Sequence, residues 1–177
     1  MTIMGIDPGT TTVGVSIFIL NDNLEIVDRY SELLDMKRVG YVNRLNNKTD
    51  YKLERIERRV SELIHIYKPF AMVVEMPFMN NSRPQAVIPL ARSLQAIIGA
   101  MVRASPNTPV LRPSPSNIKN AVGVSGGSKN KGDMTVATVK LGIANGDESE
   151  HEIDAIAANW YLLSIVRHNY MLPYLMD

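Results

Sequence analysis

The sequence predicts one mixed α/β domain, and three observations carry that prediction. Apolar runs of strand length open the chain and recur further on. Apolar residues at three- and four-residue spacing mark helices between and after them. The resulting order, βββαβαβααα, has no internal repeat and suits a sheet flanked by helices. The chain has 177 residues, of which 45% are apolar, so it can build one core and has little room for a second.

The elements follow in order. Ile3–Ile6, Thr12–Leu20 and Leu24–Tyr30 read as strands, and Asn21-Asp22-Asn23 is the turn of a hairpin between the second and third. Ser31 to Lys48 has no clean period and reads as a loop. From Asp50, the stripe Leu53, Ile56, Val60, Leu63, Ile64 and Tyr67 predicts a helix that Pro69 closes. Phe70–Glu75 is a buried strand. A small-faced apolar helix runs from about Ile88 to Val102, and Pro89 is tolerable only in its first turn. Pro109–Arg112 is a short strand. Ser114 with Pro115 opens a helix through Val122, and a basic Gly-rich loop separates it from a helix over Asp133 to Leu141. The last helix spans about Ser149 to His168, with Ile153, Ile156, Ala157, Trp160 and Leu163 on its apolar face.

Composition narrows the function. Cys is absent, which excludes disulfides, thiolate metal sites and Cys nucleophiles and suits the cytoplasm. The start of the chain shows no signal peptide, and no apolar run reads as a bilayer span. The net charge is only +1, but it is unevenly spread. Ser82–Lys140 carries eight basic residues against Asp133 alone, a net +7, while Leu141–Asp154 carries five acids and no Lys or Arg. A basic stretch beside an acidic one suits a polyanion-binding enzyme with a metal site. It also suits a solvated surface.

Three acids share one setting. Asp7 and Glu75 each end an apolar strand, with Pro8 directly after the first and Pro77 just beyond Met76 after the second. Asp154 lies early in the last helix, three residues after His151, so the two share a helical face. Hard divalent ions take oxygen donors converging from separate elements, and these residues supply them. Two ions about 3.5–4 Å apart in such a site activate water and stabilise a leaving oxygen. Asp7-Pro8-Gly9 also suits a plain hairpin turn, and Asp154 and Glu152 also suit a helix N-terminus.

Gly5-Ile6-Asp7-Pro8-Gly9-Thr10, Val74-Glu75-Met76-Pro77-Phe78-Met79 and His151-Glu152-Ile153-Asp154-Ala155-Ile156-Ala157 together resemble the RuvC-type Holliday junction resolvases. The three motifs come in the family's order across nearly the whole chain. The resemblance implies a ribonuclease-H-like fold and a homodimer that nicks a four-way DNA junction symmetrically with Mg²⁺ or Mn²⁺. Asp7, Glu75, His151 and Asp154 would hold the metal. His151 stands where the family more often has Asp, which makes this donor softer and pH-dependent. Phe78 falls at the family's aromatic position, where stacking on an unpaired base is worth about 1–3 kcal/mol. Lys119 matches a basic position. A second family lysine corresponds to Lys131 or Lys129, depending on the side from which it is counted. Either would stabilise charge at the scissile phosphate. Arg83 and Arg92 are further backbone contacts.

Other readings remain open. The Asp-x-Gly-Thr-Thr pattern also resembles the phosphate hairpin of the sugar kinase and actin superfamily, whose members need two such domains. A nuclease of the same fold acting on flaps or RNA–DNA hybrids would keep every acid, whereas a non-catalytic junction-binding module would be expected to lose one.

Overall fold

Strand β1 (Thr2–Asp7) organises the sheet from its middle. The computed structural model describes residues 1–36, 48–76, 84–127, 130 and 132–175, without the side chains of residues 48, 84–86 and 170–175. β1 runs antiparallel to β2 (Thr12–Leu20), which pairs antiparallel with β3 (Ile26–Asp35). On its other side, β1 is parallel to β4 (Ala71–Val74), and β4 is parallel to β5 (Val110–Leu111). The order is β3-β2-β1-β4-β5. Parallel neighbours need long crossovers. These are helical: α1 (Lys48–Tyr67) precedes β4 and α2 (Pro84–Ala104) precedes β5. Then come α3 (Pro115–Ala121), α4 (Gly132–Lys140) and α5 (Glu150–Leu175).

Strand alternation divides the core in two. Met4, Ile6, Val13, Val15, Ile17, Met72 and Val74 pack on Ile56, Val60, Leu63 and Ile64 of α1 and on Ile97, Ala100 and Met101 of α2. Ile3, Phe18, Leu20, Ala71 and Val73 face the other way, toward α5, with Ile118 and Met134 behind it. Helix α5 meets β1 and β2 on one side and α3 and α4 on another. Its buried residues therefore surround it instead of forming one stripe.

Two glycines set how closely α5 lies on the sheet. A Cβ at Gly14 would stand 1.8 Å from the His151 carbonyl oxygen, and one at Gly5 would stand 2.6 Å from that of Ala155. Only a residue without a side chain fits a strand where another backbone comes this near. The contact is secured further along by the buried Asn159, whose Nδ2 donates to the carbonyls of Ser16 at 3.3 Å and Ile3 at 3.4 Å.

Thr12–Leu20 forms a strand over the span expected, and Ser114 caps α3 in a capping box with Asn117 behind Pro115. Three expectations need correction. The turn after β2 extends through Glu25, because the Asn21 carboxamide accepts from the Asn23 and Glu25 amides. β3 accordingly starts at Ile26 and continues through Ser31–Asp35, a stretch expected to be loop, because β2 offers pairing partners up to Thr12↔Asp35. As an edge strand it is mostly half-buried, so its sequence alternation is weak. Pro89 lies inside α2, one turn beyond the expected limit, because the helix starts at Pro84. Its exposed ring removes one ladder hydrogen bond near the helix start. In addition, Val87–Ala104 is long and apolar enough to cross a membrane by length and composition alone, contrary to the sequence expectation. Here it buries Ser93, Ile97, Ala100 and Met101, and its Arg92 and Arg103 form ion pairs with Asp50 and Glu57 of α1.

If Gly14 sets the height of α5, Gly14→Ala should cost about 1–3 kcal/mol or more through overpacking. Gly127→Ala, where an added Cβ meets only the Ser125 hydroxyl at 4.0 Å, serves as the control. Thermal unfolding should show a clear drop in Tm for the first variant alone. Matching Tm values would mean that the helix can shift without penalty.

Candidate active site

The C-terminal ends of β1 and β4 lie side by side, with Ile6 opposite Val74 and the Glu75 amide donating to the Ile6 carbonyl at 3.0 Å. Asp7 and Glu75, the residues that follow this pair, thereby leave the sheet at the same end. Because the strands are parallel, an acid closing each one is delivered to one edge. Helix α5 starts above that edge, since Gly14, the β2 partner of Asp7, lies directly beneath His151.

His151 reaches Asp7 directly. Its Nδ1–H donates to Asp7 Oδ2 at 2.6 Å; the Asp7 side chain is 13% exposed and that of His151 38%. This hydrogen bond, reinforced by the charges of Asp7, Asp154 and Glu150, raises the imidazole pKa above its ordinary value. Burial, together with the charges of Asp7 and Asp154, pushes Glu75 up to about 8. Burial, with Asp7 and Glu150, pushes Asp154 up to about 7. Three carboxylates thus feel one another's charge. Lys119, in the last turn of α3, is near enough to pull both Glu75 and Asp154 back down.

Asp7, Glu75, His151, Asp154 and Lys119 therefore form one cluster, although they come from four elements and span most of the chain. Arg92 lies apart, on the exposed side of α2, in a 2.5 Å ion pair with Asp50. Phe78, Arg83, Lys129 and Lys131 lie outside the described residues. The basic stretch is split between layers: Arg92 and Arg103 pair with α1, whereas Lys119 lies on the α5 side. Its +7 is therefore not carried on one face.

Two contributors escaped the sequence reading. Glu150 adds negative charge to both His151 and Asp154, and its signal was its place one residue before His151. Ser93, fully buried in α2, donates its hydroxyl to the Gly9 carbonyl at 2.8 Å and so holds the turn after Asp7. Nothing in the sequence separates this serine from an ordinary helical one.

The donor set suits a hard divalent cation. It has three carboxylates and one imidazole, and burial together with neighbouring negative charge raises the pKa of Glu75 and Asp154. Among the described residues no three such side chains already form a closed ion cage. The Asp7–His151 hydrogen bond occupies two of the donor atoms.

Comparison with known proteins identifies the family. The family described as "Crossover junction endodeoxyribonuclease RuvC" matches residues 3–160. The protein of that description from Dehalococcoides mccartyi strain BAV1 is 29% identical over 158 residues, covering 89% of this chain and 87% of the relative. The one from Syntrophomonas wolfei is 29% identical over 160 residues, covering 89% and 85%. Among solved structures, "T. thermophilus RuvC in complex with Holliday junction substrate" aligns with a TM-score of 0.74 at 22% identity over 96% of each chain. The yeast mitochondrial Holliday junction resolvase Ydc2 aligns with a TM-score of 0.56 at 14% identity, over 97% of this chain and 83% of that one. These structures share the ribonuclease-H-like arrangement that the motifs implied. The chain belongs to the RuvC family of crossover junction endodeoxyribonucleases.

Proposed function

We propose that residues 1–177 act as one nuclease domain that resolves four-way DNA junctions by hydrolysing phosphodiester bonds. The observation that carries this reading is the convergence of Asp7, Glu75, His151 and Asp154 at one sheet end, in a chain of this family. Those four residues would hold Mg²⁺, with Mn²⁺ as the alternative, at two ions per site. When bound, such ions supply an activated water and stabilise the leaving oxygen. His151 would release its proton to solvent, part from Asp7 and offer a ring nitrogen. Glu75 and Asp154 would lose theirs and act as oxygen donors. Lys119 adds fixed positive charge beside the carboxylates, where it can face a scissile phosphate and stabilise the charge developing there.

DNA contact by Phe78, Arg83, Lys129 and Lys131 belongs to the same proposal. Arg92 joins them only by exchanging its Asp50 partner for a phosphate. Two symmetric nicks need two such centres, and this chain supplies one, so the working unit is a homodimer. Its face is assigned to the outer surface of α1 and α2, where Ile66, Ile88 and Val102 are 64%, 68% and 52% exposed.

Three outcomes test these statements. Purified protein with Mg²⁺ should cut a labelled four-way junction well ahead of linear duplex or a flap, and Asp7→Asn should lower the rate by about a hundredfold or more. Equal cutting of all three substrates would favour the broader branched-DNA nuclease, and wild-type cutting by Asp7→Asn would remove Asp7 from the site.

The pH dependence has a definite sign. Glu75, Asp154 and His151 all hold protons more tightly folded than unfolded, so the metal-free fold binds more protons than the unfolded chain. Its stability should therefore decline as pH rises from about 4, the unfolded carboxylate range, to about 8. The rise in Tm produced by Mg²⁺ should grow over the same interval, because the ion competes with those protons. A Mg²⁺ effect independent of pH would place the ion elsewhere.

Finally, Ile88→Arg should shift the monomer–dimer balance toward monomer in sedimentation equilibrium. An unchanged balance would place the dimer face off α2.

A further inference from the structure

Glu152 sits between His151 and Asp154 in the chain, yet its side chain turns away from them. Its Oε2 accepts from the Ser149 amide at 3.0 Å and the Ser149 hydroxyl at 2.7 Å. The Ile153 amide donates to the Ser149 carbonyl at 3.0 Å, so Ser149 caps α5 and Glu152 closes a capping box. A third contact goes beyond capping. Glu152 Oε1 accepts from the Ser31 hydroxyl at 3.0 Å, and Ser31 belongs to β3. The first turn of α5 is thereby tied to the edge strand of the sheet.

The first turn of α5, on which that tie acts, lies ahead of the Gly5–Ala155 contact and the Asn159 hydrogen bonds that hold the helix further along. Its height is fixed, because the His151 carbonyl already lies where a Cβ of Gly14 would be. Its rotation about the helix axis is not fixed by that contact. Successive residues turn by about 100°, so His151 and Asp154 point within about 60° of each other, while Glu152 points about 100° or more away from both. A hold on Glu152 therefore sets the angle at which the other two are presented. β3 also holds the approach to the helix: Arg29 donates to the Gly142 carbonyl at 2.7 Å and to the Asn145 side chain, and the Glu148 carboxylate accepts from the Asn145 amide at 2.9 Å and the Gly146 amide at 2.8 Å.

We propose that Glu152, through its link to Ser31, is a positioning residue that fixes the rotation of α5 and so aims His151 and Asp154 at the point where Asp7 stands. The inference deepens the reading of that point as an ion-holding nuclease centre and rests on it.

Three variants separate aiming from capping. Ser31→Ala removes the sheet link and leaves the capping box in place. Glu152→Ala removes both, and Glu152→Gln keeps one acceptor oxygen for the Ser149 amide while its NH2 can donate to the Ser31 hydroxyl, so the link survives with its direction reversed. In metal-free protein, the NMR signal of the His151 imidazole reports its hydrogen bond to Asp7. It should move in Ser31→Ala and Glu152→Ala and stay at the wild-type position in Glu152→Gln. The Mn²⁺ dissociation constant, followed by electron paramagnetic resonance, should weaken about tenfold or more in the first two variants, in line with the influence of groups that orient metal ligands. A lower Tm with an unmoved imidazole signal and unchanged Mn²⁺ binding would reduce Glu152 to a helix cap and overturn the proposal. Wild-type protein that binds no Mn²⁺ would sink the ion-holding reading instead, and the imidazole signal would still decide the positioning role.

Discussion

The seating of α5 on the sheet is the constraint on which the rest depends. Backbone lies against backbone at Gly5 and Gly14, with no room for even one methyl group between them. That contact places the first turn of α5 over the end of β1 and brings His151 within hydrogen-bond distance of Asp7. Asn159 holds the helix further along by donating to β1 and β2, and its carbonyl oxygen is a buried acceptor without a protein partner. The opposite layer reaches the same edge through Ser93, which holds the turn after Asp7 from α2.

Close seating has an electrostatic consequence. It gathers Asp7, Glu75 and Asp154 into a partly buried region where Lys119 is the cation that acts on two of them. A fold selected for stability alone would separate these groups or neutralise them. Keeping them together favours whatever supplies positive charge, and a divalent ion does so most directly. The chain's family is one of crossover junction endodeoxyribonucleases, and the proposed ion site accounts for keeping these groups together.

Much of this was legible in the sequence because the relevant signals are local. Asp7 and Glu75 stand at the ends of apolar runs, and strand ends are set by hydrophobic pattern and by the Pro that follows. His151 and Asp154 are related by helical spacing alone. β3 was less legible beyond Tyr30, because an edge strand takes its structure from its neighbour's hydrogen bonds and needs little alternation of its own. The start of α2 was obscured by Pro89, which composition rules place in a first turn. The roles of Glu152, Ser93 and Asn159 were not legible, since each depends on a partner more than eighty residues away. Charge counting along the chain also misled: neighbours in sequence such as Arg103 and Lys119 end on opposite layers.

Sequence order gives the site a schedule. Asp7 leaves the ribosome before Glu75, and the helix bearing His151 and Asp154 comes after all five strands of the sheet. Until α5 is made, Ile3, Phe18, Leu20, Ala71 and Val73 lack the helix that covers them. A nascent chain at that stage holds two isolated carboxylates and no assembled centre. Domains generally fold as units. On the proposed reading of the site, cutting therefore waits for α5, and a product truncated before it would lack both the layer that covers one face of the sheet and half of the centre.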